Sequence, residues 1–414
     1  MIGPGPAWWV IAVKEVADGL RGGRTLLCAL ACTVLMLTSF ALLAEDFAQR
    51  QAGYDRRDTL GQTRAGKRPK LACPPSNLSV LARGLDQHNG RQLLITWSQP
   101  RRQPGAAVLD QGDQNPLLSL FRALDLVRVT QFTLSLLALF MAHDAICGEA
   151  RRGTLGLVLV APVSRASLLA GKYVGQMLGL LCCLLPGLLA TAAAMALSDG
   201  VAMRGEDWLR AAGIAGLTLV YVSLFLNMGI WASALSPAPR TSLLLLLCIW
   251  TVWLVGVPSL SVPLGRWLQP HQAVEELERA KSELRGDAYD SYIDYANACW
   301  AMDDRFVAEV DRQIDFTASL SRLSPMASYT YGASALARTG IDDARRFRDA
   351  VIHWDRGQRR LGYNWQDEIP FAHEPPRLAW SCERTLADLA LLLLWNVGFV
   401  VAGAVALARR DVSR

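Results

Sequence analysis

The sequence predicts an all-α polytopic membrane protein with about six transmembrane helices, an N-terminal interfacial helix and a mostly helical external domain built from two loops. Three observations carry this. Six apolar runs are each long enough for the roughly 20 residues that cross a bilayer as a helix. Hydrophobic residues make up 52% and charged residues 19% of the 414, yet mean hydropathy is only +0.21. The polar residues must therefore be concentrated, and they are, in blocks at 45–125 and 263–383. Finally, Lys and Arg gather in alternate short loops, which orients the chain.

The first element, within 1–24, runs Trp8-Trp9-Val-Ile-Ala-Val-Lys14-Glu15-Val-Ala-Asp18-Gly-Leu20-Arg21. Its aromatic residues lie at one end and its charges at the other, as suits a helix in the headgroup zone. Trp8, Trp9, Lys14 and Glu15 are the expected interfacial anchors. A cytoplasmic extension of the first span reads the same way. The spans follow at 25–44 and 126–145, then three within 168–262 (168–197, 209–235 and 241–262), and a last one within 384–414 (385–407). Leu243-Leu-Leu-Leu-Leu-Cys-Ile-Trp and Leu391-Leu-Leu-Leu-Trp395 are apolar all round, unlike a surface helix of a soluble domain. Pro186 and Pro258 are expected kinks.

Between the second and third spans lies 146–167, a basic, partly amphipathic hairpin with Arg151, Arg152, Arg165 and, just beyond, Lys172. Together with Lys14, Arg21 and Arg24 at the start, and Arg409, Arg410 and Arg414 at the end, these charges place the hairpin and both termini in the cytoplasm. Both polar blocks then lie outside. Over 46–123 the net charge is +6 and over 264–383 it is −5, which favours docking of one block on the other or on a partner copy. The first block is turn-rich with a weak strand signal at Leu93-Leu-Ile-Thr-Trp97. In the second, 271–323 has no Pro and a single Gly, with apolar residues every three or four positions, which predicts one long helix. Pro325 ends it. A further helix is expected from Gly340 through Arg360, capped by Asp342.

What is missing narrows the function. There is no GxxxxGK[ST] phosphate loop, no HExxH and no GxSxG, so the chain is not expected to be an enzyme or to hold a cofactor or metal itself. Arg128, Arg210 and Asp388 fall near span ends, leaving Asn227 and Asn396 as the polar interruptions. An ion-coupled carrier needs ionisable groups at membrane depth; here the driving energy is expected from outside the membrane. Cys28, Cys32, Cys147, Cys182, Cys183 and Cys248 lie in or beside spans, as small apolar residues do. Cys73, Cys299 and Cys382 face outward, an odd number that permits one disulfide of unspecified pairing. His143-Asp144 reads as a solvated helix end.

The hairpin also carries a resemblance. Gly148-Glu149, Arg152-Gly153-Thr154-Leu155, Pro162-Val163-Ser164-Arg165, Leu169 and Gly171-Lys172-Tyr173 resemble the cytoplasmic coupling segment of ABC type-2 permeases. The subgroup resembled has large external loops and includes the nitrous-oxide-reductase maturation permease. Lys14-Glu15 is similar to a pair in that family's interfacial helix. Leu323-Ser-Pro-Met-Ala-Ser-Tyr329 and Pro375-Pro-Arg377 resemble the stretch before its last span. Ala337-Arg338-Thr339-Gly340 departs from it: relatives tend to carry Ala-Gly-Thr-Gly there.

The resemblance implies a permease subunit, an exporter of the bacterial inner membrane, paired with a second copy or paralogue and with two copies of a separate ATP-binding subunit that holds the ATP and Mg. It implies no nucleic-acid partner. Glu149, Arg151, Arg152, Thr154, Leu155 and Arg165 are the expected ATPase-coupling residues, Leu155 filling a pocket while the charges form a rim. A rival expectation is a mechanical or signalling subunit that acts on a periplasmic partner without moving a substrate through the bilayer.

Overall fold

The computed structural model describes residues 6–21, 23–61, 70–71, 74–84, 93–94, 125–156, 163–198, 200–270, 272–284, 289, 291–360, 371 and 373–410. Cys73, the 157–162 part of the coupling motif and Arg414 lie outside these. The principal helices among the described residues are α1 (Ala7–Arg21), α2 (Arg24–Gly61), α3 (Leu126–Arg151), α4 (Arg165–Leu197), α5 (Gly205–Leu235), α6 (Pro239–Leu268), α7 (Val274–Glu283), α8 (Tyr292–Ser321), α9 (Pro325–Leu336), α10 (Ile341–Arg360) and α11 (Leu378–Arg409). Six are long and apolar enough to span a membrane: α2 over Thr25–Asp55, and α3, α4, α5, α6 and α11. The chain is an all-α, multi-pass membrane protein. The weak strand signal amounts to one two-residue ladder, Lys70–Leu71 antiparallel to Leu93–Leu94.

Local chemistry sets the helix ends. Asp125 accepts from the Arg128 N–H at 2.8 Å to start α3, Ser164 from the Ser167 N–H at 3.1 Å to start α4, and Ser324 from the Met326 N–H ahead of Pro325 to start α9. Each satisfies a donor that the first turn leaves orphaned. Pro186 sits inside α4. Pro258 follows a π-helical turn, Val252–Gly256, that widens α6. A second π turn, Thr130–Leu134, lies near the start of α3.

The core is organised around α5. It runs alongside α11, crosses α3 and receives α9, while α1 and α2 pack on α4. Helix α9 belongs to the external block by sequence, yet it packs against the bundle: Tyr329 stacks on Tyr221 with ring centroids 4.5 Å apart, and its hydroxyl lies 2.8 Å from that of Thr218. By contrast, only 11% of the apolar window of α6 and 17% of that of α11 is buried, against 50% for α5. Leu244, Val252, Leu394 and Val401 thus face outward for the bilayer.

The external layer differs from expectation in two places. The stretch 271–323 forms two helices, α7 and α8, because Leu284 and Ser291 are both extended. Ser291 caps α8 by accepting from the Ile293 N–H at 3.2 Å; the single glycine, Gly286, lies between them outside the described residues. The cap of α10 is Asp343 rather than Asp342: its Oδ2 accepts from the Gly340 N–H at 3.2 Å. The two polar blocks do touch, at 76–82 and 337–339. Ser76 donates to the Ala337 carbonyl at 2.7 Å and Thr339 to the Ala82 carbonyl at 2.9 Å, so hydroxyl–carbonyl bonds make this contact. Cys299 and Cys382 are free thiols.

Candidate functional site

At one end of the bundle α1 lies against α4 at unusually short range. A Cβ on Gly171 would meet the Trp8 carbonyl oxygen at 2.7 Å, and one on Gly175 the Ala12 carbonyl oxygen at 2.9 Å and Glu15 Cβ at 2.6 Å. Two glycines four residues apart allow this approach, as small residues do wherever membrane helices touch backbone to backbone. Lys172 lies between them in sequence, with a side chain 3% exposed. A buried ammonium is tolerable only when paired. Its Nζ is 2.6 Å from Glu15 Oε1 of α1 and 2.7 Å from Glu149 Oε1 of the 147–151 turn. Lys14 adds a longer contact to Glu149, 3.6 Å. Two ammonium and two carboxylate groups thus join three separate segments. The second Glu149 oxygen, Oε2, is buried without a hydrogen-bond partner.

The neighbouring backbone is fixed from α5 and α11. The Ser233 hydroxyl accepts from the N–H groups of Ile146 and Cys147 at 2.9 and 3.1 Å, holding the turn that presents Glu149. Arg165 donates to the Leu407 and Ala408 carbonyls at 2.6 and 2.8 Å, and Arg410 to those of Ser233 and Ala234. These guanidinium groups satisfy the orphan carbonyls at the ends of α11 and α5 and complement their dipoles. A groove of about 1,010 Å³ opens beside this face, with Arg151, Leu155, Trp231, Leu235, Arg409 and Arg410 in its walls.

A second set of polar contacts lies deeper in the bundle. The hydroxyl of Tyr173, the residue after Lys172, lies 2.7 Å from that of Ser223. Ser223 Oγ and Asn227 Nδ2 both donate to Asn396 Oδ1, at 2.9 and 3.0 Å, and Asn396 Nδ2 donates to the Val220 carbonyl at 3.0 Å. Two sets of polar contacts therefore meet on α4, one joining Lys172 to α1 and the end of α3, the other joining Tyr173 to α5 and α11.

The opposite end is held differently. Arg210, fully buried, sends its fork to Glu206 Oε1 at 2.9 Å, to the Leu336 and Pro376 carbonyls and to the Ser381 hydroxyl. Arg322 pairs with Asp388 at 2.6 Å. Arg338 has φ of 60°. An L residue there costs about 1–2 kcal/mol. Its guanidinium reaches Glu206 at 2.9 Å and Asp207 at 3.7 Å.

The expected site residues lie in different settings. Trp8 and Trp9 are exposed on α1, whereas Lys14 and Glu15 turn to the ion cluster. Arg151 and Arg152 are exposed. Thr154 bonds the Glu149 carbonyl at 3.2 Å. Leu155, 3% exposed, is packed into this chain's own core, and Arg165 caps α11. Lys172 was legible only as a flanking cation; the signal for its burial was the Gly171–Gly175 spacing around it. Arg210 was counted as a span-end charge. Its signal was Glu206 one helical turn earlier.

The family described as ABC-2 family transporter protein matches residues 9–412. The chain is also similar to a protein described as "Probable ABC transporter permease protein NosY" of Stutzerimonas stutzeri, 43% identical over 84 residues, 20% of this chain and 30% of that one. A protein of the same description from Pseudomonas aeruginosa is 45% identical over 51 residues, 12% of this chain and 18% of the relative. The chain thus matches less than a third of the length of these curated relatives.

Proposed function

The chain belongs to the ABC-2 family of transporter proteins, and on that premise we propose that it is the membrane permease subunit of an ATP-driven exporter, worked by a separate ATP-binding subunit through the face that carries Glu149. The ATP and Mg belong to that subunit, two copies of which serve this chain and a second permease copy or paralogue. The observation that carries the reading is the ion cluster of Lys172, Glu15 and Glu149. It ties the coupling segment to α1 and α4 with buried contacts, so displacing the segment displaces helices rather than a loose loop. Exposed Arg151 and Arg152 form the charged rim that sets register. The α1 end then faces the cytoplasm of a bacterial inner membrane.

A second reading, in which the subunit drives an external partner without passing a substrate, is supported by the folded layer of α7, α8 and α10. Asp311 pairs with both Arg345 and Arg348, and Asp304 with Arg356, a set of charge-assisted pairs stiff enough to transmit movement.

Co-purification with the ATP-binding subunit tests the motor contact. Reversing Arg151 and Arg152 to Glu changes only exposed charges, and the expected result is loss of the ATPase from a folded permease; undiminished binding overturns the assignment. Sidedness is checked with an impermeant thiol reagent in a background lacking Cys182, Cys248 and Cys382. Cysteine at Gly357 should react from outside and cysteine at Ala150 should not.

A further inference from the structure

A second cavity, unconnected with the ion cluster, lies at the opposite end of the bundle between α2, α3, α4 and α5. It holds about 260 Å³ and its walls are apolar, including Met36, Leu126, Leu188, Met195, Ala212 and Ile214. Set into them is the hydroxyl of Thr191, 4% exposed, which makes no hydrogen bond within the chain, while that of fully buried Thr130 is engaged by the Tyr329 hydroxyl. This is unusual twice over. A helical threonine ordinarily turns its hydroxyl back to the preceding turn, as Thr218 does to the Ile214 carbonyl in the same walls. A buried hydroxyl without a partner costs free energy that a ligand could return. Thr130 opens the π turn of α3, the kind of irregularity that re-aims side chains and gathers at functional sites.

We propose that this cavity binds one hydrocarbon chain of a lipid-like amphiphile, with an ester, amide or hydroxyl group of the molecule hydrogen-bonded to Thr191. The mouth is flanked by Leu185, Leu189 and Trp208, which are 47%, 67% and 37% exposed on the outer surface of two spanning helices. At that depth the surroundings are acyl chains, so entry is sideways from the bilayer. Pro186, next to Leu185 within α4, has no N–H for the helical ladder and loosens the wall there. The volume is below the about 300–1,000 Å³ of pockets that enclose a drug-sized ligand, so it admits a single chain and leaves the rest of the amphiphile outside. The unpartnered Thr191 hydroxyl distinguishes it from an ordinary greasy groove: a pure hydrocarbon would leave it unsatisfied.

The test uses the full chain in lipid nanodiscs containing a monoacyl phospholipid with a photoreactive diazirine in its chain, with cross-links mapped by mass spectrometry. Labelling should concentrate on peptides of α4 and α5 around Thr191 and Ala212. Ala212→Trp, or the milder Ala215→Leu, should reduce it about tenfold by filling the space. Thr191→Val should reduce labelling by the amphiphile while leaving labelling by a diazirine alkane unchanged. It should not lower the melting temperature, since a buried unpaired hydroxyl is removed, and this separates a binding defect from misfolding. Adding the ATP-binding subunit and ATP identifies the source: a resident bilayer lipid keeps its occupancy through turnover, whereas a transported amphiphile loses it, and either outcome keeps the site. Labelling spread evenly over the outward faces of α6 and α11, or unaffected by the filling variants, overturns the proposal whether or not the ATPase binds.

Discussion

The two ends of the bundle each bury a cation, and they do so with different chemistry. At the α1 end Lys172 is a compact charge on a flexible stem, shared between carboxylates of two segments that are not covalent neighbours. At the other end Arg210 spreads a planar fork over a carboxylate, two carbonyls and a hydroxyl drawn from α5, α9, the segment before α11 and α11 itself. An ammonium can exchange one oxygen for another with small rearrangement, whereas a guanidinium commits to fixed directions. The comparison assigns the α1 end to movement and the opposite end to anchorage.

Arg210→Met should break the anchored end most severely. It leaves the Leu336 and Pro376 carbonyls without their donor and Glu206 with Arg338 alone, at a cost of about 1–3 kcal/mol for each buried carbonyl, and Lys should not restore it because it has no fork. Thermal unfolding in detergent measures this. Lys172→Met strands Glu149 and Glu15 in a poorly solvated joint and should cost about 3 kcal/mol; Lys172→Arg, with a larger head against the close α1–α4 contact, should recover part of the stability but not the coupling of ATP hydrolysis.

A smaller effect sharpens the anchored side. Burial pushes the carboxyl of Asp343, the cap of α10, up to about 6 despite the Gly340 N–H that favours its charge. A raised carboxyl pKa means that its contribution to stability is full below the ordinary carboxylate range and is lost as pH rises through about 6. Between pH 5 and pH 7 this should remove about 1.3 kcal/mol, and Asp343→Asn should flatten that part of the pH–stability curve. The smallest effect has the opposite sign. Arg338→Gly relieves a left-handed backbone worth about 1–2 kcal/mol and sacrifices ion pairs to the half-exposed Glu206 worth about 0–1 kcal/mol, so the variant should melt slightly higher. Melting well below the parent would show that the Arg338 pairs belong to the anchor.

The spans were legible because hydrophobic length depends on local sequence alone. Two features were not, and for the same reason. Lys172 and Arg210 look like span-end charges when each span is taken singly; only the packing of α1 on α4, and of the Leu336–Ser381 region on α5, removes them from water. Pro325 was legible only as the end of the preceding helix; that α9 starts there and inserts against Tyr221 depends on partners more than 100 residues away in sequence. The break between α7 and α8 was missed because Ser291 competes as a helix start within an otherwise continuous apolar period. Of the expected coupling residues, Arg151 and Arg152 are exposed, whereas Leu155 and Arg165 are engaged within the chain.

On the proposed coupling, the ion cluster at Lys172 and the polar node at Asn396, brought together where Lys172 and Tyr173 adjoin on α4, act as one relay between motor and bundle. A double-mutant cycle tests it most directly, since shared networks give non-additive effects and independent sites do not. The quantity is stimulation of the ATP-binding subunit by permease in nanodiscs, measured for Lys172→Met, Asn396→Leu and the pair together. The relay predicts that the double variant is scarcely worse than the more damaging single one. Losses that multiply in the double variant, with each single variant folded, would show two independent sites and contradict the relay.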